Sequence, residues 1–242
     1  MLYKVLPATA PIGEPLHAMV HPLGEADAVL GRWARMVGRV HGAMDRRGVA
    51  AESADLGYVD EGEYVHDPLT GEPLVLRVPS DARAPELAFV HALGLYVDQE
   101  HLGDGLAPAS ETHPAAGAIV EAALAAPSLA GSIAFVKALG RRLAERGDGP
   151  PALDAGRTAW ERENHAGFLR LLSARETFAR VYTQYVAETM RPPALRIQIA
   201  GRMTEMRDAG AFPLFWEREE FVSIAMLLHD VLIEKELVAL RT

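Results

Sequence analysis

The sequence predicts an α+β fold, mostly helical, with a small mixed or antiparallel β-sheet ahead of an apolar helix. Three observations lead there. β-prone runs are confined to one clear stretch, Leu56 to Pro79, where Asp-Pro and Thr-Gly turn signals separate them. Helical patterns fill most of the chain after residue 84. The length of 242 residues, 49% of them apolar, suffices for one large core.

Taken in order, Leu2 to Leu6 has the composition of a short strand. Val29, Leu30, Trp33, Met36, Val37 and Val40 then recur at helical spacing and predict an amphipathic helix over about 25–45. Its polar face carries Arg32, Arg35, Arg39 and Arg46 and reads as solvated. Residues 1–50 are thus an N-terminal strand or arm plus a helix, and 51–242 the main domain. In that domain two or three strands are expected over about 56–79, with Asp60, Glu61 and Glu63 as a solvated turn. A helix over about 84–102 follows, capped by Ser80 or Asp81, with Pro85 in its first turn and Gly103 as its stop. Beyond a linker at 103–117, Ala-rich helices cover about 115–146 with a break near Pro127. "ERGDGPPALDAG" is the strongest break in the chain. A long helix over about 157–190 ends at "RPP", and a last one spans about 217–238. Glu217, Glu219 and Glu220 sit at its start, where the helix dipole favours carboxylates.

Several function classes are excluded or disfavoured. The 24 Lys+Arg against 33 Asp+Glu give a net charge of −9 with no basic stripe, so no nucleic-acid partner is expected. The absence of cysteine removes disulfides, thiol nucleophiles and Cys-bound metals. No signal-peptide pattern and no long uninterrupted apolar run occur, so the expectation is no membrane and a cytoplasmic location as synthesised. Neither a G-x-S-x-G nucleophile motif nor a Gly-rich phosphate loop is present. His229 and Asp230 are sequence neighbours, which on a helix do not face each other.

One stretch carries chemistry: "FVHALGLYVD", Phe89 to Asp98. In an H-E-x-x-H zinc helix, two His four apart supply two ligands on one face, and the Glu after the first activates the bound water. Here His91 holds the first ligand position, Ala92 stands where the base belongs, and Leu95 where the second His belongs. The surrounding residues nonetheless resemble the H-E-I-G-H-Y-L-D helix of small phage-encoded zincin-like metallopeptidases, matching at His91, Gly94, Tyr96 and Asp98. "ARETFARVYTQYVAE" is similar to that family's E-x-F-A-R-x-Y-x-Q-Y helix, whose Glu is the third zinc ligand and falls on Glu176. "FPLFWEREEFVSIAMLLHDVL" is similar to its closing segment, and the likeness spans about residues 55–238.

The resemblance implies a zincin-like domain in which His91 and Glu176 face each other across the old cleft. With Ala92 and Leu95 in the two chemical positions, the expectation is no catalytic residue, no cofactor and no bound metal. It further implies a phage-derived, virion-associated structural protein with a protein partner. Two other readings stand beside it: an active metal-dependent peptidase with an unorthodox ligand set, and an unrelated helical binding module in which His91 and Glu176 lie far apart. Read without the resemblance, Gly94 permits close helix packing, Tyr96 and Phe178 are core, and Arg175, Glu176 and Arg180 form surface pairs. His101, ten residues after His91, does not converge with it on a continuous helix, where it lies about 80° away, and Glu86 and Glu100 point elsewhere. His113 and His165 are the remaining candidates for a wandering ligand.

Overall fold

A computed structural model describes residues 9–10, 20–22, 49–56, 61–146, 155–190, 193–208, 214–235, 237 and 239–240. The strand expected at Leu2 to Leu6 and the helix expected over 25–45 lie outside the described residues. The α+β expectation holds: a small mixed sheet precedes a mostly helical body.

The sheet comprises β2 (Val20–Pro22), β3 (Val49–Ala54), β4 (Glu63–His66) and β5 (Pro73–Pro79), in the order β2-β3-β5-β4. β2, β3 and β5 run parallel, and β4 closes one edge as an antiparallel hairpin with β5. Thus β3 crosses the boundary expected at residue 50 and pairs a strand from the first fifty residues into the sheet. A second, two-stranded pairing joins β1 (Thr9–Ala10) to β6 (Ala239–Leu240). The hairpin turn follows from its sequence: the Asp67 carboxylate accepts from the Leu69 and Thr70 backbone N–H groups at 2.7 and 3.1 Å, and Gly71 takes the positive φ, 68°, that the reversal requires.

Against the sheet lies α1 (Pro85–Tyr96), which continues as a π-helical segment, Val97–Leu102. Residues 87–102 are all buried, so this helix is surrounded: β4 and β5 on one side, helices on the others. Pro85 occupies the first turn and Gly103 the C-terminal cap, but Ala84, not Ser80 or Asp81, is the N-cap.

The helical body contains α2 (Ala109–Thr112), α3 (Pro114–Leu124), α4 (Pro127–Arg146), α5 (Ala155–Leu171), α6 (Ala174–Met190), α7 (Pro193–Asp208) and α8 (Arg218–Glu234). The break near Pro127 is present. The single long helix expected over 157–190 is instead α5 and α6, parted at Leu172–Ser173. Ser173 accepts from the Glu176 N–H at 3.3 Å, the N-terminal signature S-x-x-E that separates the two. α7 was not expected, because "RPP" reads as a stop; Pro193 in fact starts the next helix, where its missing N–H costs nothing. No single described helix is long and apolar enough to cross a membrane.

Most of the core is built on α1 and α6. Phe89, Tyr96, Phe178, Tyr182, Tyr185, Trp216 and Phe221 are essentially unexposed. At the crossing of α1 with α6, Gly94 lies so close to Ala179 that a Cβ added there would sit 3.0 Å from the Ala179 Cα and carbonyl oxygen. The segment that leads into α8 joins the same core: Trp216 and Gln184 exchange two hydrogen bonds, Trp216 N–H to Gln184 Oε1 at 3.0 Å and Gln184 Nε2–H to the Trp216 carbonyl at 2.9 Å.

Candidate functional site

α1 and α6 cross at Gly94, and the crossing sets His91, one turn earlier on α1, opposite Glu176, in the first turn of α6. His91 Nε2 lies 3.1 Å from Glu176 Oε2. The two atoms are at ion-pair distance without hydrogen-bond alignment, and neither has another hydrogen-bond partner. On the opposite side of the ring, His91 Nδ1 is 3.3 Å from the Gly62 carbonyl oxygen. A third side chain converges from the segment before β4: Glu61, whose carboxylate lies with His91 and Glu176 in a group of donor atoms all within 4.8 Å of one another.

Positive charge surrounds this pair of acids. Arg170 reaches in from a half-exposed position, 3.6 Å from Glu61 Oε2 and 3.5 Å from Glu176 Oε1. Arg180, one turn beyond Glu176 on the same face of α6, is buried and donates to the Leu171 carbonyl and to Thr177 Oγ1. It is therefore not the surface residue that its charge suggests: the α5–α6 break turns the Leu171 carbonyl toward it and supplies an acceptor inside the protein.

These neighbours set the protonation. Burial alone pulls the His91 imidazole down, but Glu176 against the ring and the charges of Glu61 and Glu176 outweigh it, and its pKa is raised. For Glu176 burial pushes upward, and His91, Arg170 and Arg180 more than reverse that, so its carboxyl is held below the ordinary range. Burial also lowers the Arg180 guanidinium, against the pull of Glu61 and Glu176.

The two positions that a zinc peptidase needs are filled by packing. Ala92 is fully buried, and its methyl group faces Gly62, where an added Cβ would lie 2.9 Å from the Ala92 Cβ and 2.2 Å from the Ala88 carbonyl oxygen. Backbone of the 61–62 segment therefore covers the place where a general base and its water would work. Leu95 is buried and offers no donor. The zinc arrangement of the resembled family does not fit these residues.

The remaining expected positions are dispersed. Asp98 is buried inside the π-helical segment and accepts from the Ser110 N–H and Oγ–H at 2.8 and 2.5 Å, with burial pushing its carboxyl up to about 7. It stands apart from His91 and serves to anchor α2. Glu100 accepts from the Tyr64 hydroxyl at 2.6 Å, and His101 packs edge-on against Tyr96. Glu86 accepts from Gln198 of α7. His113 sits at the junction of α2 and α3, and His165 lies over Gly140 of α4. None of them belongs to the His91 group among the described residues. His229, buried, contacts the Tyr185 hydroxyl at 2.8 Å, while Asp230 is exposed, so the two do not pair.

Glu61 is the site residue that the sequence conceals. In the run Asp60, Glu61, Gly62, Glu63 it looks like part of a solvated acidic turn, and it is turned inward instead. The one hint is Gly62 beside it, whose lack of a side chain lets the segment press onto α1. No protein-family model matches the chain, and neither a curated protein nor a solved structure matches it significantly.

Proposed function

We propose that the chain is a zincin-like protein without peptidase activity, serving as a structural or protein-interaction component of the phage-derived, virion-associated kind that the resemblance implies. The observation that carries this reading is the 3.1 Å approach of His91 and Glu176, residues from two separate patches of similarity. The helical-module reading expects them far apart. The third patch supports the same arrangement, since Trp216 is clamped to Gln184 of the second.

Loss of hydrolysis follows from chemistry. A metal-bound water needs a carboxylate beside it to take its proton, and Ala92 under Gly62 leaves neither the group nor room for it. Glu176 is engaged with His91 and flanked by Arg170 and Arg180, so it is a poor proton acceptor.

The test is a peptidase assay of the full chain, supplied with zinc, against casein and a mixed peptide library. No cleavage above that of a boiled control is expected. Cleavage that disappears in His91→Ala would overturn the proposal in favour of the active-peptidase reading. The virion assignment has its own check: the chain should be found by mass spectrometry in purified particles of its source, and its absence from them removes that part of the proposal.

A further inference from the structure

We infer that Glu61, His91 and Glu176 form a site for one divalent transition-metal ion that pins the 61–62 segment to α1 and α6. This goes beyond the loss of peptidase activity and does not depend on it.

The argument begins with the atoms. His91 Nδ1 faces the Gly62 carbonyl, which can only accept, so in the neutral ring the proton belongs on Nδ1 and the Nε2 lone pair faces inward. A backbone carbonyl behind the ring is the arrangement that orients imidazole for a metal and makes it a better donor. Nε2 then lies among two carboxylates, and with the ring neutral three acceptors converge. Nε2 of His91, Oε2 of Glu176 and Oε2 of Glu61 are all buried and all lack a hydrogen-bond partner. His91 itself is 4% exposed, so bulk solvent does not relieve the mismatch. A cation at the centre satisfies all three.

Geometry and ligand chemistry agree. Zinc at roughly 2.0–2.2 Å from each donor holds tetrahedral donors about 3.4 Å apart. The 3.1 Å separation of His91 and Glu176 is already close to that, and Glu61, within 4.8 Å, has to close by at most about 1.4 Å. Its carboxylate can do so, because it is a long side chain with one edge at the surface. One imidazole nitrogen and two carboxylate oxygens suit zinc, cobalt, manganese or ferrous ion. Arg170, half-exposed and at long range from both acids, can swing aside. Buried Arg180 opposes a further positive charge and weakens the site without filling it.

The competitor for the same place is a proton on Nε2, and the experiment separates the two. Full-length protein is stripped with chelator, dialysed, and titrated with zinc, with metal content read by mass spectrometry and stability by thermal melting. One ion per chain is expected, with a rise in Tm of roughly 5 °C or more at a hundredfold excess over the dissociation constant. Glu61→Gln keeps the shape of a partly exposed side chain and should fold, as checked by circular dichroism, while binding zinc at least about tenfold more weakly. Cobalt(II) in place of zinc should give visible absorption of a low-coordinate N/O site, lost in His91→Ala. If wild-type protein retains no ion and its Tm does not move in zinc or cobalt, the site is a proton-bridged pair and the inference fails. An ion bound equally well by Glu61→Gln overturns the ligand set. Neither outcome bears on peptide cleavage, which is read separately.

Discussion

Asp98 couples stability to pH through a single carboxyl. Burial pushes it up to about 7, partly offset by the two hydrogen bonds from Ser110, whereas in the unfolded chain it titrates near 3.8. A raised carboxyl pKa means that the folded state holds a proton the unfolded state has released. Stability from this group is therefore full below about pH 4, falls between about 4 and 7, and stays lost above that. Relative to Asp98→Asn, the wild-type protein should lose up to about 4 kcal/mol across that window. Urea unfolding of both proteins from pH 4 to 8 measures the difference, and parallel curves would show that Asp98 stays ionised in the fold. At the same scale lies what the sequence could not disclose. That His91 and Glu176 meet was legible, because the spacing of the two motifs places each on a helix face. Glu61 was not, since an acid in a short irregular segment has no periodicity to reveal which way it faces.

Among the elements, α6 connects the most, and Gln184 is its most consequential polar contact. Its amide satisfies both the N–H and the carbonyl of Trp216, in a buried position where water cannot replace it. Trp216 in turn donates its indole N–H to the Ala123 carbonyl at 2.8 Å, tying α3 to the same point. Gln184→Met fills similar space and removes both bonds, so a loss of roughly 3 kcal/mol is expected from two stranded backbone groups. Equilibrium unfolding in urea reads this, and a loss below about 1 kcal/mol would mean that the clamp is dispensable. Element existence was largely visible in the sequence and element ends were less so. Pro193 reads as a terminator although proline opens helices as readily as it ends them, and Ser173 divides a helical pattern whose apolar period runs on past it. The π-helical turn at Val97–Leu102 has no compositional mark, and it defeats angular arguments that carry an α-helical period beyond residue 96.

Over the whole molecule, burial is graded outward from the α1–α6 crossing. Both helices are enclosed through residues 87–97 and 177–187, whereas α5 presents mostly exposed side chains and packs chiefly on α4. Local opening follows that gradient, because segments with few buried contacts open without disturbing the rest. Amide hydrogen exchange followed by mass spectrometry should find peptides of α1 and α6 exchanging last and those of Ala155–Leu171 first. Equal protection throughout would indicate a single cooperative unit. The contact of Gly62 with Ala88 and Ala92 also limits which side chains this part of the core can take. A glutamate at position 92 would have to enter a fully enclosed space that the neighbouring backbone already occupies, so a carboxylate there demands that the 61–62 segment move first. The two positions are interlocked: a side chain added at Gly62 meets the Ala88 carbonyl and the Ala92 methyl group, and one enlarged at Ala92 meets the 61–62 backbone, so neither can change unless the other gives way.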